Sequence, residues 1–461
     1  MENSRLIVET GLSWQPTMRA DWELSPIKAL LTRQNRRVGK NSVTLTLLSL
    51  TKQGVIVRDL SEMKGKFASS MDTYQHVAAG DFVFCLFDVD ETPRTVGQSS
   101  HSGMITGAYK VLQPTGMVSS RFLEHLLISI DDAKGFRPLY RGLRKTLPYE
   151  VFKGIKLAIP SINEQELIVR YLDHAELRIA KAIQAKQKMV ALLNEQKQVI
   201  ISELVTRGLN PDVPMKDSGQ AWLGQIPAHW DVVRLGSVLE ERNEMNDKEQ
   251  VAQVLSLLRK RGVMLYEDKG RVGNKKSENI RRYKIVREND IVVNCMNVII
   301  GSVGLSSYVG CLSPVYYVLK VRNESASSAY FNNVFQIEPF HKSLVRYGKG
   351  ILAHRMRISM LDLKAVLIPK PPISEQIAIN ESIANRTVGI DSAIVAVERE
   401  IELLKEYRTV LISDVVTGKK DVRAEAASLP DVNPAELAQV LSGAVSVDGE
   451  EDEVDGASEA E

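Results

Sequence analysis

Basic side chains are concentrated in four stretches of this sequence, and their chemistry is that of binding to a polyanion. Residues 28–40 carry five Lys or Arg, residues 134–156 carry seven against one acid, residues 258–287 carry eleven against three, and residues 341–357 carry five against none. Lys and Arg that neutralise phosphates release counterions, which gives affinity independent of base sequence. Arg, Asn and Gln on loops can also read base edges in the major groove. One such stretch is usually a solvated surface, but four of them favour a nucleic acid as the ligand.

The sequence contains none of the arrangements that would carry catalysis. Its histidines are scattered without an HExxH spacing, no GxxxxGK loop occurs, and Gly348-Lys349-Gly350 lacks the third glycine of a nucleotide-binding turn. The Asn-Pro-Pro-aromatic run with which amino-methylating enzymes grip a flipped base is absent. The Glu-x-Lys triplets at 62–64 and 195–197 lack the upstream Pro-Asp of a nuclease, and Asp88-Val89-Asp90-Glu91 fits a solvated turn better than a divalent-ion site. We therefore expect neither a catalytic nor a metal site.

The parts of the chain that contain the basic residues occur twice. Segments of the first half recur in the same order in the second half at an offset close to 210 residues, which is typical of duplicated domains and too long for a solenoid. The matched segments are 21–23 with 229–231, 49–54 with 256–262, 74–83 with 283–292, 109–112 with 316–319, and 155–160 with 366–369. Short apolar runs after glycine turns predict strands, so each copy is predicted to be a mixed α+β domain.

A long amphipathic helix is predicted after each domain. Residues 162–206 match residues 373–417 at a constant offset of 211, with Asn163 and Ser374 as the predicted N-cap residues. Apolar residues recur in both helices at steps of three, four and seven. They are Leu172, Ile179, Ile183, Val190, Leu193, Ile200 and Leu204 in the first helix, and Ile383, Ile390, Ile394, Ile401, Leu404, Leu411 and Val415 in the second. A helix of about 45 residues would be ~65 Å long, and so narrow a stripe is typical of a coiled-coil seam.

These helices allow two interpretations. Each could lie as an independent amphipathic helix on its own domain, or the two could pair with each other. Equal length and matched register favour pairing, because burying a Leu or Ile side chain contributes roughly 1.5–3 kcal/mol, enough over the whole seam to offset the cost of ordering. The predicted fold class is therefore α+β, with two duplicated mixed α+β domains, each followed by a long helix, and the two helices paired as an antiparallel coiled coil.

The composition is that of an ordinary globular protein. A length of 461 residues suggests roughly three domains of about 150 residues, and 44% apolar with 25% charged residues excludes wholesale disorder. No window has the ~18 uninterrupted apolar residues of a membrane span, and residues 1–5 lack the apolar core of a secretory signal. Cys85, Cys295 and Cys311 have neither zinc-site nor disulfide-framework spacing. We expect a cytoplasmic protein.

The net charge of +2 conceals an asymmetry along the chain. Residues 446–461 carry eight acids and no base, so the remainder carries +10. An acidic run of this kind is usually solvated, and residues 420–461 are predicted to form an acidic disordered tail. The positive charge of the body is the part that a ligand must explain.

Two motifs resemble those of the DNA-specificity subunit of type I restriction-modification systems, the HsdS family. The first runs from Lys216-Asp217-Ser218-Gly219 through Trp222-Leu223-Gly224-Gln225-Ile226-Pro227-Ala228-His229-Trp230. The second runs from Ile368-Pro369 to Pro371-Pro372-Ile373-Ser374-Glu375-Gln376. With the duplicated plan of domain and helix, the resemblance covers nearly all of residues 15–420.

The first half departs from this pattern. Met18-Arg19-Ala20-Asp21-Trp22 stands without the full Trp-Leu-Gly stretch, and the proline motif is reduced to Ile159-Pro160-Ser161-Ile162-Asn163-Glu164-Gln165, which leaves that boundary open. The predicted organisation is a first target-recognition domain at 1–160, a first spacer helix at 161–207, a linker at 208–228, a second target-recognition domain at 229–372, a second spacer helix at 373–419, and the acidic tail at 420–461.

The resemblance implies a non-catalytic DNA-binding subunit. Each domain would read one half of a split, asymmetric DNA site, and the paired helices would set the spacing between the half-sites and dock the modification subunits. In that family two modification subunits methylate adenine with S-adenosylmethionine, and two restriction (motor) subunits add ATP-driven translocation and cleavage. S-adenosylmethionine, ATP and Mg²⁺ are thus expected on partner subunits, with no cofactor on this chain and no membrane partner.

The residues expected to contact DNA are basic and aromatic side chains in the charged stretches of both halves. One matching pair lies just before the closing strand of each half: Tyr140-Arg141-Gly142-Leu143-Arg144 in the first, and Tyr347-Gly348-Lys349-Gly350 with Arg355 and Arg357 in the second. The full set of candidates is Lys52, Arg58, Tyr140, Arg141, Arg144, Lys145, Arg259, Lys260, Arg271, Lys275, Lys276, Tyr347, Lys349, Arg355 and Arg357.

Two other functions remain open at the level of sequence. One is a self-contained restriction or modification enzyme that carries its recognition module here. The other is a coiled-coil scaffold with no nucleic-acid role, which would bind DNA weakly and without regard to sequence.

Overall fold

The computed structural model describes residues 7–39, 42, 44–52, 54–58, 71–89, 92, 94–259, 261–270, 276–277, 279–296, 301–348 and 357–449. They divide into two compact units. One comprises Met1–Ile183 with Glu402–Ala444, and the other comprises Gln184–Ile401 with Val445–Glu461. Among the described helices, none combines the length and the apolar character needed to cross a membrane.

The first half of the chain alternates short strands with few helices before one long helix. Its strands are β1 (Ile7–Leu12), β2 (Gln15–Arg19), β3 (Glu23–Pro26), β4 (Leu31–Gln34), β5 (Leu48–Thr51), β6 (Gly54–Val57), β7 (Gln75–Val77), β8 (Phe82–Phe84), β9 (Val96–Gln98), β10 (Gly103–Ile105), β11 (Lys110–Pro114) and β12 (Lys156–Ile159). Its helices are α1 (Ile27–Leu30), α2 (Ser120–Asp132), α3 (Tyr149–Phe152) and the long α4 (Ile162–Arg207).

The second half repeats this order of elements. Its strands are β13 (Met215–Asp217), β14 (Gln225–Pro227), β15 (Asp231–Arg234), β16 (Leu239–Glu241), β17 (Leu255–Leu258), β18 (Gly262–Leu265), β19 (Lys284–Val286), β20 (Ile291–Asn294), β21 (Val303–Leu305), β22 (Gly310–Leu312), β23 (Tyr316–Val321) and β24 (Leu367–Lys370). Its helices are α5 (Leu235–Val238), α6 (Ser328–Gln336), α7 (Glu338–Leu344), α8 (Met360–Ala365) and the long α9 (Ile373–Val416), after which come α10 (Arg423–Ala427) and α11 (Pro434–Gly449).

Sheet topology confirms the duplicated α+β fold. Each domain has a four-stranded sheet, ordered β4-β11-β8-β9 in the first and β16-β23-β20-β21 in the second. The smaller strand pairs match as well: β5 with β6 and β17 with β18, β7 with β10 and β19 with β22, β3 with β12 and β15 with β24. All these pairs are antiparallel.

The turn before the central strand shows how closely the two copies agree. The Asp81 carboxylate accepts a hydrogen bond from the Ala78 N–H at 2.9 Å, and the Asp290 carboxylate accepts one from the Arg287 N–H at 2.8 Å. The preceding residue has a positive φ in both copies, 94° at Gly80 and 65° at Asn289. Glycine and asparagine are the residues that tolerate this conformation best, so both sequences can form the same turn.

The two long helices pair antiparallel, as predicted. In the first unit Arg408 of α9 donates to Glu176 of α4 at 2.5 Å. In the second unit Lys186 of α4 pairs with Glu400 of α9, and Lys197 donates to Asp391 at 2.5 Å. Partner numbers rise on one helix as they fall on the other, which is the register of an antiparallel pair.

The apolar stripes of both helices face inward. All fourteen predicted seam residues are buried or half-buried, and the three most deeply buried, Leu172, Leu204 and Val415, lie towards the helix ends. In the second unit the seam is continuous with the domain core, because Ile200, Leu204 and Ile383 join the same apolar cluster as Trp230. The domain and its helices therefore share one core in that unit.

Three assignments made from the sequence are wrong: the linker, the disordered tail and the N-cap residues of the long helices. Residues 208–228 are not a plain linker, since β13 and β14 pair within them and Ile226 is fully buried in the second core. The chain from residue 420 to 449 is not a disordered tail, because α10 and α11 form there and Val422 and Ala426 are buried. Residues 450–461 lie outside the described residues. The long helices begin at Ile162 and Ile373, so Asn163 and Ser374 lie inside the first turn and are not N-caps.

Candidate nucleic-acid interface

A short β-hairpin carries three of the six predicted contacts of the first domain. Arg141 and Thr146 form a bridge through two reciprocal backbone hydrogen bonds of 2.8 and 2.9 Å. Between them Gly142 has a φ of 69° and Lys145 a φ of 43°, which bends the chain back within four residues. Arg141, Arg144 and Lys145 are all exposed. The sequence prediction therefore corresponds to one compact cationic tip.

The hairpin is anchored to the loop that follows β8. The Leu147 N–H donates to the Leu86 carbonyl at 2.8 Å, and the Asp88 N–H donates to the Arg144 carbonyl at 2.9 Å. Asp88 has a φ of 48°, and Lys145, directly after Arg144, has a φ of 43°. Non-glycine residues with strained backbone therefore lie on both sides of the hydrogen bond between Asp88 and Arg144. Such strain persists only where the surroundings hold it and is concentrated at functional sites.

The tyrosines that were predicted to contact DNA are packed inward. Tyr140 is half-buried and lines a small cavity with Phe84 and Phe152. Tyr347 is half-buried as well and packs against the core of the second unit, with the Arg346 guanidinium 4.9 Å above its ring. Each tyrosine comes at the end of a 3₁₀ turn, so their sequence positions match while their rings serve packing.

A second pair of matched hairpins presents basic residues at their turns. Lys52 lies in the turn between β5 and β6, Arg259 lies in the turn between β17 and β18, and both are exposed. Arg58 follows β6 and is half-buried. Each hairpin lies against a strand of the main sheet at a glycine. A Cβ at Gly304 of β21 would lie 2.9 Å from the backbone of Gly262, so only glycine allows this approach, whereas a Cβ at Gly97 of β9 would lie 2.9 Å from the end of the Leu50 side chain, which would have to shift.

Part of the dense basic stretch in the second domain is neutralised within the domain. Lys284, Arg281 and Arg287 pair with carboxylates at 3.0, 2.7 and 2.8 Å. Their partners are Glu241, Glu249 and Glu244. The sequence count of +8 over residues 258–287 thus overstates the charge that a ligand would meet, because acids distant in sequence fold onto this stretch.

Tyr266 organises another part of the same stretch. The Lys269 ammonium lies 4.3 Å and the Lys276 ammonium 5.6 Å from the centre of its ring, and the Lys276 N–H donates to its hydroxyl at 3.0 Å. Lys269 is buried, whereas Lys276 is exposed. Cation–π contacts of this kind hold basic side chains in place at the surface.

Other predicted contacts have mixed outcomes. Arg357 is exposed and interacts with Tyr317 and with the Cys295 thiol. Five candidates lie outside the described residues: Lys260, Arg271, Lys275, Lys349 and Arg355. The DNA contacts predicted for Lys349 and Arg355, the counterparts of Arg141 and Arg144 in the second domain, therefore stay predictions.

Two glutamines that the sequence reading passed over tie each domain to its long helix. Gln165 is buried, its amide donates to the carbonyl of the proline five residues earlier at 2.9 Å, and its carbonyl accepts from the Ser119 N–H at 2.7 Å. Gln376 makes the same two bonds, 2.8 Å each, the second from the Ser327 N–H. Ser119 and Ser327 also cap α2 and α6. The repeated Glu-Gln pair was the available signal.

The sequence prediction also missed that Trp14 in the first half corresponds to Trp222 in the second half. Trp14 packs edge-on against a phenylalanine at 5.8 Å between ring centres, and Trp222 does so at 5.1 Å. Trp14 precedes Trp22 by eight residues, as Trp222 precedes Trp230. The hairpin of β1 and β2 is therefore the counterpart of that of β13 and β14, and the first half keeps the tryptophan although it lacks the full Trp-Leu-Gly stretch.

One buried polar cluster contains the ligand types of a metal site. His125 on α2 lies with Asp173 and Glu176 on α4, their ligand atoms within 4.8 Å of one another. Arg121 donates to both carboxylates at 3.2 to 3.3 Å, and Arg408 donates to the other oxygen of Glu176 at 2.5 Å. Guanidinium groups thus occupy the carboxylate oxygens that a cation would need, so the cluster is an ion-pair network between α2, α4 and α9.

The protonation states in this network follow from burial. Burial lowers the pKa of His125 to about 4, although Glu176 opposes the shift. Burial alone would raise the pKa of Glu176, but His125, Arg408 and Arg121 outweigh it and lower that pKa. At neutral pH the network therefore contains a neutral imidazole and a charged carboxylate.

Comparison with known proteins identifies relatives of one kind. No protein-family model matches the chain. Over 275 residues it is 24% identical to the MjaX type I restriction enzyme specificity subunit of Methanocaldococcus jannaschii. This match covers 59% of this chain and 60% of that protein. Over 290 residues it is 23% identical to the MjaVIII specificity subunit of the same organism, covering 59% and 64%. The match spans less than two thirds of either relative.

The fold comparison points the same way. One solved chain superposes on this chain with a TM-score of 0.56. It comes from work on the structural basis of complex assembly and conformational transition of the type I R-M system. It is 14% identical and the match covers 87% of this chain and 99% of that one. The resemblance to type I specificity subunits that was drawn from the two motifs is thereby confirmed.

Proposed function

We propose that this chain, similar in sequence and fold to type I restriction enzyme specificity subunits, is the DNA-specificity subunit of a type I restriction-modification complex. The observation that carries the proposal is the duplication itself: two domains of the same topology, each leading into one of two antiparallel helices. Each domain reads one half of a bipartite, asymmetric site. Because the domains have diverged in sequence, the two half-sites differ.

The exposed cationic tips are the proposed contacts with DNA. In the first domain Arg141, Arg144 and Lys145 lie on the hairpin tip and Lys52 on a neighbouring turn. In the second domain Arg259 and Lys276 are exposed. Each phosphate contact releases counterions, so the logarithm of the binding constant should fall with the logarithm of the salt concentration, by about 0.9 per phosphate.

The paired helices act as the spacer between half-sites. α4 has 46 residues and α9 has 44, which corresponds to roughly 65 to 70 Å at 1.5 Å per residue. Antiparallel pairing with interhelical ion pairs makes them stiff enough to hold a fixed length. A rigid spacer converts two short recognition events into one long, gapped site.

The outer faces of the helices are proposed to dock the modification subunits. Leu192 and Val199 on α4 are exposed, and so are Leu403 and Val410 at the equivalent positions of α9. Repeated apolar residues on an otherwise polar surface are typical of interaction sites, and their repetition fits two copies of one partner. Those partners would bring S-adenosylmethionine, and restriction (motor) subunits would bring ATP and Mg²⁺, while this chain contributes no catalytic group.

The test is a protection experiment with the reconstituted complex. The chain purified with its modification subunits should methylate adenine only in DNA that contains both half-sites at one spacing. Mapping methylated adenines in the host, with and without the gene, supplies the site. Methylation that survives deletion of the gene, or that ignores one half-site, contradicts the proposal.

Assays of the purified chain, alone and with modification subunits, distinguish the two remaining alternatives. Cleavage with Mg²⁺, or methylation with a methyl donor, would indicate a self-contained enzyme. DNA affinity that is weak and the same for all sequences, even with modification subunits present, would indicate a scaffold. The proposed function requires neither activity from the isolated chain and strong preference for one bipartite site from the complex.

A further inference from the structure

The tip of the hairpin at residues 141–146 carries an apolar side chain that packs against no described residue. The Lys145 N–H donates to the Gly142 carbonyl at 3.1 Å, which closes a turn with Leu143 and Arg144 at its two central positions. Leu143 is fully exposed, more so than any other large apolar residue among those described. Leu361, the next most exposed, retains 81% of its surface. No contact within the described chain accounts for a leucine at this point.

The turn that carries Leu143 is held rigidly. Two bridge hydrogen bonds close its base between Arg141 and Thr146, and Leu147, directly after it, is buried. The Asp88 N–H binds the Arg144 carbonyl at 2.9 Å, so the tip itself is attached to the neighbouring loop. A projection fixed in this way loses little conformational entropy when it enters a ligand.

The side chains around Leu143 are cationic. Arg141, Arg144 and Lys145 are exposed and form no ion pair within the part of the chain that the structure describes. A lone apolar side chain at the tip of a rigid, uncompensated cationic hairpin has the chemistry of a wedge between stacked bases. In such a wedge, cations bind phosphates on both sides and the apolar side chain replaces the stacking of one base step.

We propose that Leu143 is an intercalating wedge that enters the minor groove of the half-site read by the first domain and unstacks one base step. This inference rests on the proposed function, since it assigns a residue of the same DNA-binding surface. A wedge at this position makes recognition depend on how easily one base step unstacks. Flexible pyrimidine–purine steps unstack most easily and are therefore favoured there. Recognition at that step then needs no hydrogen bond to a base.

The experiment uses the complex of the full chain with its modification subunits and DNA in which 2-aminopurine replaces one base at a time across both half-sites. We expect 2-aminopurine fluorescence to rise at one base step of one half-site, in addition to any rise at the target adenine. This additional rise should be absent in Leu143→Ala. The same variant should bind the site about tenfold more weakly, equivalent to about 1.4 kcal/mol. Leu361→Ala, the matched control, should behave as the unsubstituted chain does.

Each outcome separates the wedge from the proposed function. If the unsubstituted complex shows no preference for a bipartite site, the proposed function fails. If it binds that site but Leu143→Ala changes neither the affinity nor the fluorescence, only the wedge is overturned. A rise confined to the target adenine that persists in Leu143→Ala reports base flipping by the partner and overturns it too. The wedge is also overturned if replacing thymine by deoxyuridine weakens binding as much as Leu143→Ala does and no step shows a rise in fluorescence. That result indicates a contact between Leu143 and a thymine methyl group. Unfolding curves that coincide for both variants confirm that the fold is intact.

Discussion

At the scale of single residues, the buried network around His125 shows how charge is used inside the molecule. Its imidazole is kept neutral by burial, whereas Glu176 beside it is kept ionised by Arg121 and Arg408. Buried ion pairs contribute little net stability but are costly to break. The network therefore specifies how the first domain sits on its helix segments within that unit.

His125 makes the stability of the chain depend on pH. Its pKa in the folded chain is about 4, below the ordinary value of 6.5, so the unfolded state binds the proton more readily between these values. Stability is fully present above pH 6.5 and falls as the pH drops towards 4, by about 3 kcal/mol at most. His125→Gln should flatten this part of the curve of unfolding free energy against pH, measured by urea denaturation.

The exposed His101 provides the matched control for this measurement. His101→Gln should leave the slope between pH 6.5 and 4 as it is in the unsubstituted chain. An unchanged slope in His125→Gln would show that other groups, and not this imidazole, carry the pH dependence. Carboxylates titrate in part of the same window, so the difference between the two variants is the informative quantity.

At the scale of elements, α4 and α9 pair antiparallel within each unit, and the length of each helix is set by its number of residues. Lengthening both helices by four residues, after Lys188 in α4 and after Arg399 in α9, adds about one turn, or roughly 6 Å. We expect the complex to select half-sites about two base pairs further apart, with the half-site sequences unchanged. Methylation of a panel of DNAs that differ only in spacer length measures this.

A matched variant controls for disruption of the seam. The same four residues inserted in α4 alone put its seam out of register with α9, so we expect loss of stability and not a new spacing. If the paired insertion leaves the preferred spacing as it was, the helices do not set it.

The elements also show what could be predicted from the sequence and what could not. The helix pairing followed from the period of Leu and Ile, because burial of an apolar stripe depends only on spacing along the chain. The order of α10 and α11 could not be predicted, since it depends on contacts such as Arg170 with Asp431 and Lys181 with Glu436, 261 and 255 residues apart. Likewise, the acids that neutralise Arg281 and Arg287 are distant in sequence, so charge counts could not separate paired cations from free ones.

At the scale of the whole chain, each domain is an insertion between two strands that pair at its base. In the first half these are β3 and β12, and in the second half β15 and β24. Arg19, at the end of β2, ties this base to α4 and to the segment that follows α9: it is 2% exposed and lies 3.7 Å from Glu164 and 3.1 Å from Asp421. A domain exchange should therefore preserve these strands and Arg19.

Replacing residues 27–155 by the corresponding part of another such chain should change one half-site and leave the other intact. The reason is that the retained base, with Arg19 and the β3–β12 pair, keeps the helices as they are. Mapping of methylated adenines reads both half-sites at once. The reciprocal exchange of residues 235–366 should change only the other half-site, and an exchange that altered both would refute independent reading.

The buried charges also limit which exchanges can succeed. Asp173 and Glu176 lie 211 residues before Ala384 and Thr387, so the second helix offers no acid at the matching places, and Thr387 is buried. A first-half domain transplanted into the second position would leave Arg121 with Glu124 alone, because the carboxylates of Asp173 and Glu176 would be missing. An exchange of domains at the first position keeps Asp173 and Glu176 of α4 against the incoming domain, whereas an exchange between the two positions of one chain does not.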